Sequence, residues 1–293
     1  MRNQRSSCAW MFLRLLMAAV AALALVAAGS SDSAAVAPEP DAPIPREPHP
    51  LATRLTLADA SLRRAIEAWR LHGNPAHGPP PQNVILQALY VQRVLRTLSR
   101  DSMRAKRTIR RLPPRLARST REITLALRDL RRLSAGWPPH RIRTGPPEPL
   151  GALLGYYREA QRRFGVGRHV LAAVNLVESA FGRLRNNSVA GARGPMQFIP
   201  ATWRAYGLGG DINDPRDAIL GAANYLRRSG APGDYAHALH AYNPSPLYVN
   251  AVRRYARLID RDREAVYALY SWQVFVKTRD GGGEQRVTGP GLR

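Results

Sequence analysis

Glu178 ends an apolar run and is followed at once by Ser179. Ten residues on comes Ser188, then Gly194-Pro195-Met196-Gln197-Phe198, and later Ala241-Tyr242-Asn243. One acid, a few amide and hydroxyl donors and aromatic faces are the equipment needed to cleave a glycan. A glycosidic oxygen is a poor leaving group and needs a proton as its bond breaks. The acid that supplies it must stay protonated near neutral pH, and burial lifts a glutamate from ~4.3 toward ~6 in known glycosidases. Val177, Ala180 and Phe181 give Glu178 the apolar neighbours for this.

Most glycosidases add a second carboxylate as base or nucleophile. The candidates nearby are Asp211, Asp214 and Asp217, and the last two already read as helix-capping residues. Asp211, Asn213 and Asp214 hint at a calcium loop, but Pro215 and Arg216 stand where such a loop needs a ligand and a glycine. His237 and His240 are three apart without carboxylate companions. There is no phosphate loop and no serine-nucleophile elbow. The expectation is therefore chemistry without metal or cofactor.

The order and spacing of Glu178-Ser179, Gly194-Pro195-Met196-Gln197 and Ala241-Tyr242-Asn243 resemble the soluble lytic transglycosylase domain, whose family includes goose-type lysozymes. The resemblance covers about 149–262. It implies a mainly α, lysozyme-like catalytic domain acting on peptidoglycan glycan strands. In that family one glutamate, here Glu178, protonates the leaving oxygen of the MurNAc–GlcNAc β-1,4 bond. It then takes the proton of the C6 hydroxyl, which closes a 1,6-anhydro ring. By the same resemblance Ser179 supports the helix end and Ser188 bonds the N-acetyl group. Met196 and Gln197 belong to the second motif, where Gln197 faces the sugar. Tyr242 places its hydroxyl near the glutamate, and Asn243 completes the substrate-binding set. Pro244 stands where many members have glycine, and it confines Asn243 to extended geometry. Two other readings stay open: a muramidase that admits water, and a non-catalytic wall-binding or scaffold protein.

Several elements must position these residues. Leu62, Ala65, Ile66 and Trp69 fall at helical spacing, as do Val84, Ala88, Val91, Leu95 and Leu98 after Pro79-Pro80-Pro81. Ile123, Leu127 and Leu130 mark a helix after Pro113-Pro114. This region, 56–148, precedes the candidate catalytic domain at 149–262. Within the latter, Leu150, Leu153, Leu154 and Tyr157 give one helix, and Gly165-Val166-Gly167 breaks it. A second helix runs from about Arg168 to Ser179. A third starts at Asp214-Pro215-Arg216-Asp217, and two more faces follow around Tyr235–Tyr242 and Tyr248–Ile259. In the tail, 263–293, Ser271 to Lys277 and Glu284 to Thr288 read as a β-hairpin turned by Gly281-Gly282-Gly283.

The formal charge is +23, and only Lys106 and Lys277 of the 44 basic residues are lysines, a bias that fits a high-GC genome. Over 51–150 there are 20 basic and 6 acidic residues, a net of +14. Such a run is either a solvated helical face or a surface for anionic wall polymers or membrane. Arg2, Arg5 and Arg14 precede an apolar stretch from Leu15 to Ala28, and small residues follow. This is a secretory signal over 1–30, which predicts an exported, wall-associated protein and argues against a nucleic-acid partner. An uncleaved membrane anchor is the alternative. Ala27-Ala28-Gly29-Ser30 has the form of a lipoprotein signal whose acceptor cysteine is missing. The one cysteine, Cys8, lies inside the signal, so no disulfide is expected. Residues 31–55, rich in Pro and Ala, read as an extended linker.

Overall fold

Proline opens five of the helices in the first turn, where a missing N–H costs nothing. The computed structural model describes residues 37–134, 142–278 and 283–292. The signal-like stretch, Gly281 and Gly282 lie outside them. From Ala37 onward the described chain is one compact unit. It is built of α1 Pro48–His72, α2 Gln82–Arg100, α3 Ser102–Ile109, α4 Pro114–Leu133, α5 Leu150–Phe164, α6 Arg168–Ser179, α7 Pro200–Tyr206, α8 Pro215–Arg228, α9 Tyr235–Tyr242, α10 Pro246–Arg261, α11 Ala265–Tyr270, β1 Phe275–Lys277 and β2 Glu284–Arg286. The fold is thus mainly α with a small C-terminal hairpin. None of the described helices is long and apolar enough to cross a membrane.

Side-chain caps fix several helix starts. Asp101 accepts from the Arg104 amide at 2.9 Å, Asp214 from Asp217 at 2.9 Å, and Asp234 from Ala236 and His237 at 2.9 and 3.0 Å. Gly165, at φ +70°, ends α5 in the left-handed conformation that glycine adopts without strain.

The linker expectation needs correcting at its C-terminal end. Helix α1 begins at Pro48, and Leu51, Ala52 and Leu55 are buried. The apolar stripe that ends at Ile66 and Trp69 already starts at Leu51. Pro48 and Pro50 sit in the first turn, so their abundance does not argue against helix there. The preceding residues are held too: Arg93 donates to the carbonyls of Pro40 and Ala42 at 3.1 and 2.8 Å, and Arg104 to that of Pro45 at 2.6 Å.

One hydrophobic core runs from Leu51 to Trp272. Helix α10 is its hinge point, packed on α4 from the N-terminal half and on α6, which carries Glu178. Glu122 of α4 accepts from Arg257 of α10 at 2.7 Å. Arg63 of α1 binds Asp59, Asp262 and Glu264 at 2.9, 2.9 and 2.8 Å, which ties α1 to the turn between α10 and α11. The tail docks on α2: Gln92 and Gln273 exchange a side-chain donor at 2.8 Å and an acceptor at 2.9 Å. Phe275 pairs with Arg286, Val276 with Gln285 and Lys277 with Glu284 in antiparallel register. The first strand is shorter than Ser271 to Lys277, because Gln273 binds Gln92 and the Val274 amide binds the Thr288 hydroxyl at 2.8 Å.

Candidate active site

Glu178 is the penultimate residue of α6, and the chain beyond it turns abruptly. Ala180, Phe181 and Gly182 all have positive φ, at 51°, 62° and 84°. Two consecutive non-glycine residues in that region are strained, and strain of this kind persists only where surroundings over-determine it. The Ala180 amide reaches the Leu176 carbonyl at 3.0 Å and the Phe181 amide the Asn175 carbonyl at 3.1 Å, closing the helix. Phe181 is buried against Tyr270, and the Arg183 guanidinium lies 4.7 Å from the same ring. Burial lowers the Arg183 pKa to about 10. This packing fixes the end of α6 and so the place of Glu178.

Ser179 belongs to the scaffold of this turn. It is buried, its hydroxyl donates to the Pro195 carbonyl at 2.6 Å, and it accepts from the Gly182 amide at 2.8 Å. Asn175, one turn earlier, donates to the same Pro195 carbonyl at 2.9 Å and accepts from the Tyr157 hydroxyl at 2.7 Å. These buried bonds lock α5, α6 and the Gly194–Phe198 turn together. Ser179 thus braces the end of α6, with its hydroxyl engaged within the protein.

The second motif is a tight hairpin. Arg193 and Phe198 exchange backbone bonds at 2.8 and 2.9 Å, with Gly194 at φ +74° and Gln197 at φ +50°. A Cβ on Gly194 would lie 1.9 Å from the Ile212 carbonyl oxygen, so glycine is required by both conformation and space. Met196 is fully buried. The Gln197 amide nitrogen donates to the carbonyls of Gly194 and Asn186 at 2.9 and 3.2 Å. The Ser188 hydroxyl accepts from the Ala192 amide at 3.0 Å. Both half-buried side chains brace the 186–197 loop.

In the third motif the Tyr242 hydroxyl turns to the Met196 carbonyl at 2.6 Å, and Asn243 ends α9 in extended geometry. The tyrosine that reaches the glutamate is Tyr248 of α10, whose hydroxyl donates to Glu178 Oε1 at 2.7 Å. Its ring lies parallel to that of Tyr242 with centroids 6.4 Å apart, and Phe198, Tyr225 and Tyr206 extend the aromatic row. Helical periodicity had already shown Tyr248 on the inner face of α10. Nothing in that pattern distinguishes a core tyrosine from one that bonds a buried acid.

Glu178, Tyr248 and Asn243 line one cavity of about 350 Å³. Its other walls are Leu127, Leu130 and Arg131 of α4 and the tail segment Trp272–Lys277. Two effects oppose each other at Glu178. Burial favours the neutral carboxyl, while the Tyr248 bond favours the carboxylate, and burial prevails, pushing the pKa up to about 7. Burial with the nearby Glu178 carboxylate holds the Tyr248 pKa well above 10, so Tyr248 remains a donor wherever Glu178 titrates. Among the described residues the other carboxylate lining the cavity is Glu284, and it is held by Arg96 and Arg100 at 2.6 and 2.7 Å. Asp211, Asp214 and Asp217 bond backbone amides of their own loop.

Residues 155–262 match the Transglycosylase SLT domain family and are homologous to it. A stretch of 119 residues, 38% of this chain, is 33% identical to Membrane-bound lytic murein transglycosylase F of Thiobacillus denitrificans. The matched stretch spans 25% of the length of that relative. No solved structure matches the chain.

Proposed function

Taking residues 155–262 as a homologue of the transglycosylase SLT domain, we propose that the protein is a lytic transglycosylase that cleaves the MurNAc–GlcNAc β-1,4 bond of peptidoglycan and leaves 1,6-anhydromuramic ends. The observation that carries this reading is a single desolvated acid, Glu178, whose pKa of about 7 keeps a large protonated fraction at neutrality. Tyr248 engages Oε1, which leaves Oε2 to carry the proton.

The proton passes from Glu178 to the glycosidic oxygen as the bond to C1 breaks. The C6 hydroxyl of the same muramic sugar then bonds to C1, and its proton returns to the Glu178 carboxylate. Atoms and charge balance without water. The acid is regenerated, and no cofactor enters any step. The absence of a second free carboxylate from the described cavity supports this route over water activation, since Glu284 is neutralised by two arginines. Asn243 stands in the same cavity to contact the sugar.

The place of action we propose is outside the cell, at the wall, from the basic n-region and the apolar run Leu15 to Ala28. Glu178→Gln tests the reading. The amide is nearly isosteric and can still accept from Tyr248, but it has no acidic proton. Digestion of purified peptidoglycan should stop while the fold persists; digestion at near wild-type rate would remove Glu178 from the chemistry.

A further inference from the structure

Between 101 and 133 the acids are Asp101, Glu122 and Asp129. Asp101 caps α3, and Glu122 and Asp129 turn inward to Arg254 and Arg257 of α10. Of the many cations in the same segment, Arg115 pairs with an acid, Asp262, at 3.0 Å. Lys106, Arg107, Arg110, Arg111, Arg118 and Arg121 have no ion pair among the described residues. Two of the three acids thus dock α4 on α10 and the third caps α3, and the outward side is left cationic.

That side is concave. A groove of about 450 Å³ runs between α3 and α4, with Lys106 and Arg110 on one wall and Arg121 and Arg128 on the other. Ala105, Ile109, Leu125 and Thr124 form its floor. At a rise of 1.5 Å per residue, Lys106 and Arg110 lie about 6 Å apart along α3, and Arg121 and Arg128 about 10 Å apart along α4. Two facing rows of cations at such intervals suit a chain that carries its charges at intervals. Arginine in particular binds phosphate through paired donors.

We propose that the α3–α4 groove binds a phosphate-bearing anionic chain polymer, holding the protein on its substrate matrix by a site separate from Glu178. A bilayer surface fits less well. A helix lying on a membrane flanks its cations with large apolar residues, whereas among the described residues of α3 and α4 the exposed large apolar ones are Met103 and, at the far end of α4, Leu133. Among the described residues the groove has no aromatic lining residue, and so no platform on which nucleic-acid bases could stack. The inference does not depend on the proposed cleavage chemistry, because its test reads binding.

The probe is linear inorganic polyphosphate, titrated into the full chain and into Arg110→Ala/Arg121→Ala, two exposed side chains without an ion pair among the described residues. Arg162→Ala/Arg168→Ala removes the same charge from α5 and α6 as the control. At about 50 mM salt the groove pair should bind about tenfold more weakly and the control within about twofold of wild type, with the gap closing as salt rises. Cleavage of small soluble glycan fragments should be unchanged in both. If the alanine pair is unstable, Arg110→Gln/Arg121→Gln repeats the test. Equal losses in the two pairs, or none in the groove pair, would overturn the proposal. So would a loss confined to phosphatidylglycerol vesicles, which would make the groove a membrane contact. Single-stranded DNA of equal charge should bind no tighter than polyphosphate; a much tighter DNA complex lost in the groove pair would replace the proposal with nucleic-acid binding.

Discussion

The Tyr248 hydroxyl donates to Glu178 Oε1 at 2.7 Å, across the contact between α10 and α6. This bond favours the carboxylate and so works against the burial that raises the Glu178 pKa. It also fixes which oxygen is free to hold the proton.

Tyr248→Phe removes the donor and leaves the ring. The Glu178 pKa should then rise further, and the alkaline limb of the activity–pH profile should move to higher pH. The turnover should fall about tenfold, the order expected for losing one hydrogen bond to a charged or reacting group. An unmoved limb with unchanged turnover would show that the bond is incidental to the chemistry.

The raised Glu178 pKa also has a consequence for stability. Between about 4.5 and 7 the native state holds a proton that the unfolded chain has released. Stability from this group is therefore fully present below 4.5 and lost as pH rises through 7. Glu178→Gln abolishes the dependence. Relative to wild type the variant should gain stability with rising pH, by up to about 3 kcal/mol at pH 8. Denaturant unfolding at pH 4, 6 and 8 measures the trend, and a difference independent of pH would mean that the carboxyl is not desolvated.

The sequence made much of this site readable, and the limits have physical causes. Helix α6 was recognisable over its length because Val170 and Val174 repeat toward the core and the glycines at 165 and 167 open it. Asp214, Pro215 and Asp217 announced α8 through their own capping chemistry. The role of Tyr248 was not readable, since a buried tyrosine has the same periodicity whether it bonds Glu178 or a core carbonyl. Nor was the far wall of the cavity: Leu127 and Leu130 lie some fifty residues before Glu178 in sequence and meet it only through the packing of α4 on α10. Composition misjudged 48–55, where proline counts as a linker signal until the first turn of a helix is recognised.

Ser179→Ala should behave as a scaffold defect. It leaves the Pro195 carbonyl short of a donor and the Gly182 amide without its acceptor, at a cost of about 1–3 kcal/mol. The folded enzyme should keep its KM at low temperature while its thermal midpoint falls. A large rise in KM at unchanged stability would instead put the hydroxyl on the substrate.

In the proposed route one acid, Glu178, cuts the glycan and the sugar's own hydroxyl closes the ring. Mass spectrometry of the soluble products from purified peptidoglycan tests it most directly, because an anhydro end is lighter than a reducing end by one water. The full chain should release 1,6-anhydromuropeptides, and Glu178→Gln should release none. Products carrying only reducing ends would mean that water attacks C1, and would make the protein a hydrolytic muramidase.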